Sequence, residues 1–92
     1  MGFDVVIHSG TKFLNGHTDL TAGIVVGRAD LIKGVFKTKT RLGGTADPLM
    51  CYLLERGMRT LHARMPIHAS NSSELARRMQ EHPEISAVNH PS

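Results

Sequence analysis

Lys12 stands beside two hydroxyl residues, Ser9 and Thr11, on a short stretch that also holds Gly10 and Gly16. Hydroxyls and turn amides can hold a phosphate. A primary amine can condense with a carbonyl carbon if desolvation or cationic neighbours suppress its charge. Gly10 would let a ligand approach the backbone closely. On spacing alone, an ordinary exposed lysine is the alternative. Gly10-Thr11-Lys12 is not a nucleotide-binding loop, because the order of its residues is wrong and the spaced upstream glycine is missing. His8, His17, His62, His68, His82 and His90 form no helical pair at ligand spacing, and only Cys51 could join them, so no metal site is expected.

The elements around Lys12 follow from the apolar pattern. Val5-Val6-Ile7 and the run from Leu20 to Val26 are rich in β-branched residues and read as strands, which puts Lys12 on a turn at a strand end. The first run is short and wholly apolar, as in a strand buried on both faces. Asp30 is the expected N-cap of a helix whose Leu31, Ile32, Val35 and Phe36 share one face. Leu42 to Ala46 reads as a loop. Asp47-Pro48 is a helix start, with Leu49, Met50, Leu53 and Leu54 as its apolar stripe and Gly57 as its stop. A further helix from near Arg59 is expected to kink at Pro66. The alternative is two helices, the second opened by an Asn71/Glu74 capping box. His82-Pro83 ends the helical stretch, and Ile85 to Val88 reads as the beginning of a strand.

With 92 residues, of which 40% are hydrophobic and 4% aromatic, the chain is one small domain or a piece of a larger one. Two strands and a few helices could not bury a large core alone. The opening, Met1 to Asp4, enters a strand almost at once, which suggests a missing upstream part and cut ends. The single cysteine, Cys51, excludes an internal disulfide and points to a reducing, cytoplasmic setting. No apolar run approaches the roughly 20 residues of a membrane span, so no membrane partner is expected. Net charge is +3. Lys33, Lys37, Lys39 and Arg41 read as a solvated face; without interleaved aromatic residues, no nucleic-acid partner is expected.

The stretch Ser9-Gly10-Thr11-Lys12-Phe13-Leu14-Asn15-Gly16-His17-Thr18-Asp19 resembles the pyridoxal-phosphate lysine signature of the Cys/Met metabolism enzymes, which include cystathionine γ-synthase, cystathionine γ-lyase, methionine γ-lyase and O-acetylhomoserine sulfhydrylase. Asp47-Pro48, the run from Tyr52 to Leu61, Arg64, and the ending His82 to Val88 resemble the segment downstream of that lysine. The resemblance covers nearly the whole chain, which would be a middle slice of such an enzyme.

The resemblance implies an α/β fold: a fragment of the fold type I pyridoxal-phosphate transferase large domain, a mostly parallel sheet flanked by helices, running into the start of the small C-terminal α+β domain. Residues 1–58 would close the large domain, and residues 59–92 would form the linking helix and open the small domain. The first two strands would be antiparallel neighbours. Lys12 would be the catalytic Schiff-base lysine and, once freed, a general base and acid. Ser9, Thr11 and Lys12 would bind the cofactor, pyridoxal 5′-phosphate. His17 and Asp19 match the pattern, with a hydrogen-bonding role expected. The ring-stacking aromatic residue and the aspartate for the pyridine nitrogen would lie upstream, the substrate-carboxylate arginine downstream.

The parent enzyme would be a homotetramer acting on a small-molecule amino acid by γ-elimination or γ-replacement, and the 92-residue piece alone would be inactive. The alternatives are β-elimination of the cystathionine β-lyase type and a truncated, non-catalytic family member.

Overall fold

A computed structural model describes residues 2–91. Two strands lead: β1 (Val5–Ser9) and β2 (Gly23–Gly27). Three helices follow: α1 (Ala29–Leu42), α2 (Pro48–Met58) and α3 (Leu61–Gln80). The chain divides into two units, one through Leu61 and one from His62 onward.

In the first unit β1 and β2 pair antiparallel, with Val5 opposite Gly27, Ile7 opposite Val25 and Ser9 opposite Gly23. The β-branched run of each strand suits this pleat. The burial on both faces expected of β1 is not found, since Ile7 is 74% exposed; in β2, Val26 is 57% exposed. A two-stranded ribbon has no second layer of its own to cover it.

Arg28, not Asp30, stands at the N-cap position of α1, without a side-chain cap. The Asp30 carboxylate is already taken by Arg28, whose Nη2 and Nε donate to it at 2.7 and 3.2 Å. That guanidinium lowers the Asp30 carboxyl below its usual range. From the first turn, Asp30 favours the helix through its dipole instead of a cap. α1 ends at Gly43, which is left-handed with φ 76°.

α2 begins as expected. Pro48 opens the helix, and Asp47 Oδ1 accepts from the Met50 backbone N–H at 2.9 Å. It does not stop at Gly57 but runs on to Met58, with Gly57 buried inside it.

In the second unit α3 continues unbroken through Pro66, so the two-helix alternative falls. Pro66 is near the helix start, and the bond it removes is the one to the His62 carbonyl, which leaves the following turns intact. Glu74 closes no capping box. It accepts from Arg77 and Arg78 at 2.7 to 3.0 Å on the same helix face. Beyond Gln80 the His82 N–H bonds the Met79 carbonyl and the Ile85 N–H bonds the His82 carbonyl, both at 3.1 Å. Ile85 to Val88 is not a strand. A strand exists by pairing, and among the described residues the sheet holds only β1 and β2. No helix among them is long and apolar enough to cross a membrane.

The buried apolar side chains among the described residues are Leu20 and Ala76, and the most deeply buried polar one is Asn15, 1% exposed. Asn15 directly follows the Lys12 turn and Leu20 lies between it and β2, so two of these buried side chains are close in sequence to Lys12.

Candidate functional site

The site grows out of the end of β1. Ser9 is the last strand residue and is exposed. The chain then makes one wide turn over Gly10 to Leu14, closed by the Asn15 N–H on the Gly10 carbonyl at 3.2 Å. Lys12 breaks the local helical geometry of that turn with φ −94° and ψ −126°, and its carbonyl accepts from the Gly16 N–H at 2.8 Å. The Lys12 peptide is therefore held at its carbonyl, inside a turn closed from Gly10 to Asn15, while its side chain faces solvent. Lys12 makes no ion pair among the described residues.

Gly10 and Thr11 tie the turn to the segment before β2. The Gly10 N–H donates to the Ala22 carbonyl at 2.7 Å. A Cβ at Gly10 would stand 3.1 Å from the Ala22 Cβ and 3.2 Å from its carbonyl oxygen. A side chain at Gly10 would thus crowd Ala22. Thr11 Oγ1 accepts from the Ala22 N–H at 3.0 Å. Its own contact to the Ala22 carbonyl, at 3.5 Å, is at the limit of a hydrogen bond. The Thr11 hydroxyl proton therefore stays available to a better acceptor.

The turn is completed by three side chains after Lys12. Asn15 Nδ2 donates to Asp19 Oδ1 at 2.6 Å. His17 Nδ1 lies 2.7 Å from the Asn15 carbonyl. A carbonyl has no proton to give, so Nδ1 carries the hydrogen there. Hydrogen bonding is what was expected of His17 and Asp19. Folding both back onto Asn15 puts Thr18 at φ 58°, a region β-branched residues rarely enter and that costs about 1 to 3 kcal/mol. His17 and Asp19 also line a recess of about 300 Å³ with Leu53, Arg56, Arg59 and Thr60. Arg59 is tied there to Glu55 at 2.6 Å.

Two parts of this arrangement were missed by sequence reasoning. Asn15 carries no signal of its own in the sequence beyond its place in the motif, yet its burial marks it as the pivot of the turn. Gly57 was read as a helix stop, but it is where α2 meets the turn: a Cβ there would fall 2.9 Å from the Asn15 Cα. A glycine inside an otherwise apolar helical stripe is the signal that could have found it.

An amine, two hydroxyls and a strand-end turn form a donor set suited to a cofactor that carries both a phosphate and an aldehyde. The pattern that defines the Cys/Met metabolism PLP-dependent enzymes matches residues 1–92. The chain belongs to that family, whose cofactor is pyridoxal phosphate. It is 44% identical to an L-methionine gamma-lyase of Porphyromonas gingivalis over 93 residues, which cover 99% of this chain and 23% of the relative. It is likewise 44% identical to a cystathionine gamma-synthase/O-acetylhomoserine (thiol)-lyase of Bacillus subtilis, over 99% of this chain and 25% of the relative. Among solved structures, a methionine gamma lyase of Micromonospora echinospora superposes with a TM-score of 0.91 at 34% identity, over 98% of this chain and 25% of that one. The fold is thus that of a segment of a fold type I pyridoxal-phosphate enzyme, and the chain spans about a quarter of the length of the relatives it matches.

Proposed function

We propose that this chain is the cofactor-lysine segment of a pyridoxal-phosphate-dependent trans-sulfuration enzyme, one that acts by γ-elimination or γ-replacement on a homoserine-derived or sulfur-containing amino acid. Lys12 is the attachment residue through its Nζ and, when free, moves protons on the substrate as general base and acid. Ser9 and Thr11 offer their hydroxyls to the phosphate. When bound, the cofactor withdraws electrons from the substrate carbons. The protein's share is to hold and orient.

The observation that carries this reading is the Lys12 turn: a Lys12 carbonyl held by the Gly16 N–H, an exposed amine, and a Thr11 hydroxyl whose oxygen accepts from Ala22 while its proton has only a 3.5 Å contact. The relatives named for methionine and for O-acetylhomoserine support the sulfur amino-acid substrate class. In the same reading, residues 1–58 close the large cofactor domain and residues 59–92 lead into the small one, and the whole enzyme is a cytoplasmic homotetramer.

The test is borohydride reduction of the full-length protein loaded with pyridoxal 5′-phosphate, followed by peptide mass analysis. A reduced pyridoxyl group on the Lys12 peptide is expected. Label on Lys33 or Lys39 instead overturns the assignment.

A further inference from the structure

We infer that Gly57 and Asn15 form a clamp through which α2 sets the position of Lys12; this rests on the reading of Lys12 as the attachment residue. Asn15 closes the turn that contains Lys12, through its N–H on the Gly10 carbonyl at 3.2 Å. The adjacent Gly16 N–H holds the Lys12 carbonyl at 2.8 Å. Any displacement of Asn15 therefore moves the Lys12 peptide with it.

Asn15 is itself held from two directions. Within the turn its amide donates to Asp19 at 2.6 Å and its carbonyl accepts from His17 at 2.7 Å. From outside, the backbone of α2 bears on it at Gly57. A Cβ on Gly57 would lie 2.8 Å from Asn15 Oδ1 and 2.9 Å from its Cα, and would meet its carbonyl oxygen more closely still. Real Cβ atoms do not approach backbone so closely, so only glycine permits the contact. The start of α2 is capped by Asp47, and near its other end the helix bears on the lysine turn at Gly57. Gly57, Asn15 and Asp19 are positioning residues, since they act through the backbone of Lys12.

The experiment uses the full-length protein stripped of cofactor and mixed with pyridoxal 5′-phosphate. Borohydride added at timed intervals fixes what has joined Lys12, mass analysis counts it, and circular dichroism follows folding in parallel. Gly57→Ala is expected to attach cofactor at least about tenfold more slowly than wild type while folded, because a misplacement of about 1 Å can cost about a hundredfold. Asn15→Asp sets two carboxylates against each other and is expected to be similarly slow. Asn15→Asp combined with Asp19→Asn restores the bond with donor and acceptor exchanged, and should return the rate to within about threefold of wild type. A merely structural role would lower the melting temperature yet leave attachment by the folded variants unchanged, and that result overturns the clamp. Failure of the exchanged pair to recover the rate overturns it too. If Gly57→Ala does not fold, the Asn15–Asp19 exchange decides alone. Wild-type label on a lysine other than Lys12 overturns the reading beneath the clamp, and shows itself before any variant is made.

Discussion

Thr11 Oγ1 accepts a hydrogen bond from the backbone N–H of Ala22 at 3.0 Å, and so joins the lysine turn to the segment entering β2. Thr11→Val keeps the shape and removes the acceptor, leaving a partly buried N–H unpaired. It is expected to destabilise the full-length protein by about 1 to 3 kcal/mol in a denaturant titration. Thr11→Ser should restore most of that loss, because the oxygen returns. Equal stability of the valine variant and wild type would show that water replaces the bond.

Lys12→Arg preserves the charge of the side chain but not its chemistry. A guanidinium stays protonated and cannot act as an amine nucleophile. Arginine should therefore abolish activity of the full-length enzyme almost as completely as alanine. Near-normal turnover by Lys12→Arg would leave Lys12 only a phosphate-attracting charge.

The Asp47 cap can be removed without touching the turn. Asp47→Ala is expected to lower stability by about 1 kcal/mol, and Asp47→Asn, which keeps a capping oxygen, by much less. Thermal melting of the two variants checks the order. An alanine variant as stable as the asparagine one would mean that Pro48 alone starts α2.

Glu74 gives the second unit an acid-sensitive element. Hydrogen bonds from Arg77 and then Arg78 lower its carboxyl to about 2. A depressed carboxyl favours the folded state above its unfolded value near 4.5 and loses that contribution as pH falls towards about 2. Acid should therefore loosen α3 within that window, and Glu74→Gln should flatten the pH dependence there. The site is solvent-exposed, so added salt should weaken the effect. Helix content followed by circular dichroism from neutral to acid pH measures it.

The 92-residue chain on its own is expected to show no turnover with methionine, cystathionine or O-acetylhomoserine in the presence of pyridoxal phosphate. Rate comes from positioning and preorganised charge, and this chain spans about a quarter of its relatives. Sustained formation of a 2-oxo acid, abolished by Lys12→Ala, would contradict it.

The lysine turn was legible because its signals are local. β-branched runs on both sides mark the strands, although β2 begins at Gly23 and not at Leu20, and the polar stretch between them holds the turn. The Asp47-Pro48 start was legible for the same reason. Asp30 was misread as a cap because nothing in its own position reveals that Arg28 would take its carboxylate. Gly57 was misread because glycine serves both helix ends and close contacts, and only the partner, Asn15, 42 positions away (57 − 15), decides between them. Ile85 to Val88 carries a strand's composition without a partner among the described residues, and composition cannot supply the partner. The exposure of Ile7 and Val26 has the same origin: an apolar run reports a preference for burial, not what does the burying.

The pairing of β1 with β2 also bears on the order in which the chain folds. Its closest and most distant pairs, Ser9 with Gly23 and Val5 with Gly27, are separated by only 14 (23 − 9) and 22 (27 − 5) positions. Loops of that size close quickly, and their entropy cost is modest beside that of a parallel crossover. The ribbon can thus form without waiting for contacts with the helices that follow it. Among the described residues each of its strands still offers one open edge of backbone donors and acceptors. The same open edges that let further strands pair with the ribbon make it a seed for self-association wherever those strands are lacking.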